Sequence, residues 1–221
     1  PAVHWVVYHR VSARPSGPFA ITPMRDDGLG GDEVAQDNIH TAVLPARPEG
    51  TVVEFCVEAS DRTRSRTWPG PTSPTGAQEA NLLYQVDSER PADRTPFYRL
   101  ILTAEEIDEF LNISFDSEER DTNARFNATF IAGLDGELQI YYRCGMRLRG
   151  SGTRSRYPRN LKIELPSNHS WQGLDALNLN TQFSYNQLLG SLFYRAAGLP
   201  VYESKAVAVR GAADLSDCLT K

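Results

Sequence analysis

The sequence predicts an α+β protein in two parts, a small antiparallel β-sandwich followed by a larger region that mixes strands with a few helices. Three observations carry this. Through residue 61, short runs of β-branched and aromatic residues recur at roughly 10-residue spacing, with turn residues between them and no helical periodicity. Residues 62–78, RTRSRTWPGPTSPTGAQ, hold three prolines and no apolar period, the composition of a linker. Only after that segment do amphipathic helical patterns appear among the strands. The expected division is therefore a sandwich over 1–61, a linker over 62–80 and the α+β region over 81–221.

In the first part, residues 3–10 (VHWVVYHR) and 19–24 are extended runs joined by an Arg-Pro-Ser-Gly-Pro turn, which reads as a hairpin. Residues 39–44 and 51–59 follow as strands. In the second of these, Val53, Phe55, Val57 and Ala59 alternate with Glu54, Cys56 and Glu58, which places the two sets on opposite faces. In the second part, 82–86 and 98–102 read as strands, and Thr103-Ala-Glu-Glu106 carries the T-x-x-E pattern that opens a helix of about ten residues. Residues 126–132 and 138–148 are joined by Gly133-Leu-Asp-Gly136, a hairpin signal. Residues 160–165 are a further strand. Residues 184–197 form the strongest helix, with Leu188, Leu189, Leu192 and Phe193 on one face and Gly198 as its stop. Residues 201–210 close the pattern as a strand.

Composition narrows the function. The chain has 221 residues, 40% of them hydrophobic, and a formal charge of −5, which excludes disordered and collagen-like classes and argues against a protein that coats nucleic acid through many phosphate contacts. No stretch approaches the ~18 uninterrupted apolar residues of a membrane span. Cys56, Cys144 and Cys218 lack zinc-ligand spacing, and Cys56 and Cys144 sit in apolar strand patterns that suit inert, buried thiols. His4, His9, His40 and His169 never pair at i, i+4, and Ser151, Ser155 and Ser170 lack a G-x-S-x-G elbow. Trp5, Trp68 and Trp171 are spaced for packing. The chain begins at Pro1 with no signal-peptide pattern, which reads as a piece of something longer.

Two clusters remain as candidates. Arg143, Arg147, Arg149, Arg154, Arg156, Arg159 and Lys162 crowd into a short stretch of an acidic chain, around Gly150-Ser151-Gly152-Thr153. Cations and a glycine loop can cradle an anion such as a polyphosphate, and a long solvated hairpin guarded by arginines is the alternative. Arg147 and Arg149 flank Leu148 and so share one sheet face, and Lys162, between Leu161 and Ile163, can meet them from the next strand. The second cluster is Asp26, Asp27 and Asp32, with Asp37 close behind, interleaved with glycines. Carboxylates so spaced can bind Ca²⁺ or simply build tight turns.

Residues 146–200, MRLRGSGTRSRYPRNLKIELPSNHSWQGLDALNLNTQFSYNQLLGSLFYRAAGLP, together with NLLYQVD at 81–87, FYRLILTAEE at 97–106 and NATF…GLDGELQIYYRCGMRLRG at 127–150, resemble in content and order the N-terminal part of the spore-coat CotH kinase family. Residues 24–46 resemble the immunoglobulin- or fibronectin-like module that precedes such domains. The resemblance implies an atypical protein-kinase-like domain, incomplete here, which binds ATP with Mg²⁺ and transfers phosphate to a protein Ser or Thr. It implies that Arg147, Arg149, Gly150, Ser151, Arg154, Arg156, Arg159 and Lys162 hold the nucleotide phosphates. It also implies a bacterial, secreted or cell-surface protein. The chain departs from the family in three ways: Glu164 stands where many members have a basic residue, the loop is longer and richer in arginine, and the text stops soon after VAVRGAADLSD, before the segments that carry the catalytic aspartates.

Two functions follow as expectations. One is the ATP-phosphate-binding part of a CotH-like kinase, inactive as a fragment. The other is a non-catalytic surface adhesion or scaffold module with a degenerate kinase-like fold. If further segments belong beside residues 201–210, then Leu192, Phe193, Val207 and Val209 should lack partners and the chain should self-associate through its last strand.

Overall fold

A computed structural model of the chain describes residues 3–71, 74–75, 80–88, 96–115, 122–134, 137–154 and 158–211. They form two sheets and two helices, mostly β, as the α+β expectation requires. The chain divides into two compact units, one containing residues up to Ser88 and the other most of the remainder.

The first unit is built on β1 (His4–Val11) and β3 (Val52–Ser60), antiparallel along their whole length, with β2 (Ala20–Pro23) on the outer edge of β1. The other edge of β3 is shared. β5 (Leu82–Gln85) pairs with residues 52–55, and β4 (Ser65–Trp68) pairs with residues 57–60. Three expectations change here. The described residues form one five-stranded sheet, not the two facing sheets of a sandwich. Part of the expected linker is strand β4, because Thr67 and Arg66 lie opposite Glu58 and Ala59 and satisfy that half of β3. The strand at 82–85 belongs to this sheet and not to the α+β region. Residues 39–44 contribute only an isolated bridge between Thr41 and Arg25, and Trp68 is exposed where packing was expected.

Both faces of β3 carry buried residues. Glu54 and Cys56 are buried beside Val53, whereas Phe55 and Val57 are half-buried. A buried carboxylate must be paired. Glu54 takes a two-pronged contact from Arg10, its register partner on β1, with Nε to Oε1 at 2.8 Å and Nη2 to Oε2 at 3.1 Å, and Asn81 Nδ2 donates to Oε2 at 3.1 Å.

The second unit is a six-stranded sheet in the order β10-β9-β8-β7-β6-β11, where β6 is Phe97–Ile101, β7 Phe126–Leu134, β8 Glu137–Leu148, β9 Leu161–Glu164, β10 Ala176–Leu179 and β11 Ala208–Gly211. All neighbours are antiparallel except β11, which runs parallel to β6. β7 and β8 form the expected hairpin, pairing as far as Leu134 and Glu137; the two turn residues, 135 and 136, lie outside the described residues. Helix α1 (Ala104–Phe115) buries Ile107, Phe110 and Ile113 in the core of this sheet, where Phe110 meets Phe126 edge-on at 5.6 Å. Each such side chain contributes about 1.5–3 kcal/mol by leaving water.

A bulge sets which side of β8 faces that core. Ala128 pairs with Cys144 but Phe130 pairs with Tyr141, so Tyr142 and Arg143 together oppose Thr129. Arg143 absorbs the extra residue in the left-handed region, at φ 58°. Tyr141 and Cys144 therefore both point inward, followed by Met146 and Leu148, and Arg147 and Arg149 are turned to the opposite face.

Helix α2 (Ser184–Ala196) buries none of its residues. Leu192 and Phe193 are exposed, as anticipated for a face without partners, but Val207 and Val209 are not, because β11 pairs with β6 and lays both against the core.

Candidate functional site

The expected convergence of cations lies on the β8–β9 face away from the core. Arg147 and Lys162 are register partners, and Gly145 faces Glu164 one step along. Leu161 and Ile163 of β9, buried on the other side, leave Lys162 and Glu164 projecting together. Lys162 Nζ lies 2.8 Å from Glu164 Oε1, and Arg147 Nε lies 3.7 Å from the same oxygen. Arg125 Nε donates to Oε2. Three cations thus surround one carboxylate. The hydrogen bonds from Lys162 and then Arg125 hold the Glu164 carboxyl well below the usual carboxylate range, at about 2.

Arg125 has no local signature in the sequence, since it lies 39 positions from its partner. The β7–β8 register brings it in, since the neighbouring Phe126 pairs with Met146, and Gly145 leaves it room. A Cβ there would sit 3.3 Å from Arg125 Cδ and 3.7 Å from Glu164 Cβ, so the glycine leaves a notch in β8 across which the arginine reaches.

The other predicted phosphate ligands are distributed differently. Arg149 donates to Asn180 Oδ1, and Asn180 Nδ2 donates to Gln187 Oε1 at 2.7 Å. Arg154 is buried inside its own loop, with Nε on Gly150 O at 2.6 Å, Nη1 on Thr122 O at 2.7 Å and Nη2 on Asn123 Oδ1 at 3.1 Å. Arg159 is only 2% exposed. Burial removes Arg154 and Arg159 from direct contact with a ligand on the open face, and the hydrogen bonds of Arg154 make it a support of the loop. Arg156 lies outside the described residues. Gly150 takes φ 99°, and a Cβ on it would come within 2.1 Å of Thr153 Oγ1, so this turn demands glycine. Ser151 is exposed at its tip.

A second group of residues, unmarked in the sequence, fastens the loop. Gln182, itself buried, donates from Nε2 to Thr153 O at 3.0 Å and to Pro158 O at 2.8 Å. Asn160 Oδ1 accepts from Thr181 N at 2.9 Å and Gln182 N at 3.2 Å. Amides 20 or more residues away thereby fix the shape of the arginine loop. Only their contacts, not their spacing, reveal them.

In the first unit, Asp26, Asp32 and Asp37 bring carboxylate oxygens within 4.8 Å of one another. Asp27 stands apart, accepting from Leu29 N at 3.0 Å and pairing with Arg25 at 3.4 Å. The three grouped carboxylates also build the loop: Asp26 accepts from Asp37 N and Asn38 N, both at 3.1 Å, and Asp32 from Gly28 N at 2.6 Å. Cys56 and Cys144 are free and buried, and burial pushes the Cys144 thiol up to about 12, which suits inert packing; Cys218 lies outside the described residues.

No family model matches the chain, and no curated protein matches it.

Proposed function

We propose that the β8–β9 face binds a polyphosphate and serves as the phosphate-holding part of a nucleotide-dependent phosphotransferase, as the resemblance to CotH kinases implies. The observation that carries this reading is the register of Arg147 with Lys162, two half-buried cations side by side on a sheet face, with Arg125 reaching the same spot. An acidic chain that gathers cations at one place offers a local attraction for multiply charged anions. These residues fit the phosphates of ATP. Magnesium bound with the nucleotide would supply neutralisation of phosphate charge for transfer to a Ser or Thr hydroxyl of a protein. The share of the chain's own residues is to hold and orient the phosphates.

The test is a titration of the full chain with ATP-Mg followed by calorimetry. Lys162→Ala and Arg147→Ala are each expected to weaken binding about tenfold, with thermal midpoints lowered no further than by Glu164→Gln. Undiminished affinity in both variants would remove the face from the binding site.

A second reading, a non-catalytic surface or scaffold module, has one observation in its favour: the three cations already hold Glu164. In the first unit, the three grouped carboxylates support Ca²⁺ as a structural ligand, through oxygen ligation of a hard cation. Calcium is then expected to raise the thermal midpoint of the chain by a few degrees, and Asp37→Asn, at an exposed ligand position, to abolish that rise.

A further inference from the structure

Glu164 occupies the focus of the cationic face. Its two oxygens are held as phosphate oxygens would be, Oε1 by Lys162 and Arg147 and Oε2 by Arg125. Arg147 is further steadied by Asn123, whose Oδ1 accepts from Nη1 at 3.1 Å. The carboxylate is not needed to fill a core: it projects from the face opposite Leu161 and Ile163, and its side chain keeps 23% exposure.

We infer that Glu164 is a built-in competing anion, a stand-in for phosphate that closes the cationic face to weakly charged ligands and makes it selective for polyphosphates. This rests on the reading of the face as a polyphosphate site. The physical reason is a contest for the same donors. An incoming anion must repel or displace a fixed carboxylate already neutralising part of three positive charges. Orthophosphate, with few oxygens and about two charges, gains too little from the cations that remain. A triphosphate spans several cations at once and carries enough charge to take them from Glu164. The residue thus acts as a threshold on ligand charge and not as a ligand.

The experiment compares the full chain with Glu164→Gln, which preserves shape and a hydrogen-bond acceptor while removing the charge, and with Glu164→Thr, a strand-favouring residue that serves if the glutamine variant fails to fold. Tripolyphosphate and orthophosphate are the probes, with binding followed by calorimetry and Lys162→Ala included in the same series. The expected result is a gain of about tenfold in tripolyphosphate affinity without Glu164, and measurable orthophosphate binding where the parent chain shows none. Equal or weaker binding by both Glu164 variants, with Lys162→Ala impaired, would overturn the competitor role and leave the polyphosphate reading intact. Failure of the parent and of every folded variant to bind tripolyphosphate would overturn both. Tripolyphosphate binding by a Glu164 variant alone would also overturn the threshold, since Glu164 would then exclude triphosphate along with orthophosphate.

Discussion

Glu164 illustrates how one side chain changes the meaning of its neighbours. Lys162 and Arg147 alone would be an open pair of cations, but the carboxylate beside them binds both and Arg125 as well. Because the folded state holds this carboxyl at about 2, well below its value in an unfolded chain, the unfolded state binds the proton more readily. The associated stabilisation is full above the ordinary carboxylate range and is lost as pH falls toward 2. Glu164→Gln should therefore lower the thermal midpoint at pH 6, and the gap between parent and variant should close as the pH approaches 2; a gap that stays constant across that range would mean the ion pairs add nothing. At this scale the sequence was partly legible. The parity of Arg147 and Arg149 around Leu148, and the placement of Lys162 opposite them, follow from strand period alone. Arg125 does not, since it enters through the register of β7 on β8, where the neighbouring Phe126 pairs with Met146, beside the notch at Gly145.

Among the elements, α2 has the clearest consequence. Its inner side faces the returning chain, where the Ser191 and Ser204 hydroxyls lie 2.8 Å apart. Successive turns place Tyr185, Leu189 and Phe193 on the outer side, with exposures of 82%, 52% and 73%. An apolar stripe of that kind favours association in water. Light scattering of the parent chain should rise with concentration, and Phe193→Glu should suppress the rise with little change in thermal midpoint, because among the described residues Phe193 is largely exposed and has little packing to lose. By contrast, Phe110→Ala on α1, at a fully buried position, should cost about 3–5 kcal/mol of stability. The hydrophobic periodicity of both helices was visible in the sequence. Which of the two would find a core was not, since periodicity marks an apolar face without naming what covers it.

For the whole molecule, the two units have separate sheets, and each sheet carries its own buried side chains, such as Val53 in the first and Phe130 in the second. Units of this size with independent cores need not unfold in one step. Calorimetry is expected to show two transitions, with Val53→Ala lowering one and Phe130→Ala the other; a single transition shifted by both substitutions would show that the units melt as one. The first unit also shows the limit of composition as a guide. Residues 62–78 have the prolines and small polar residues of a linker, yet Ser65–Trp68 is a strand, because the half of β3 beyond Val57 presents backbone groups that need partners and this segment is near enough to supply them.

The sequence by itself determined the mixed α+β character, the positions of most strands and both helices, the hairpin of β7 and β8, and the concentration of cations around residues 147–162. These depend on local propensity and on periods of 2 and 3.6 residues, which a chain displays whether or not it is folded. The tertiary structure alone decided which side of the sheet is the core and which of the cations stay accessible. A bulge at Tyr142 and Arg143 reverses the alternation of β8, so that Cys144, Met146 and Leu148 continue the buried side begun by Tyr141 and the arginines emerge opposite. Arg154 and Arg159 are buried, while Lys162 and Arg147 meet Glu164. Bulges, notches and long-range pairings are settled by how strands fit one another across the sheet, and a shift of one residue moves every later side chain to the other face.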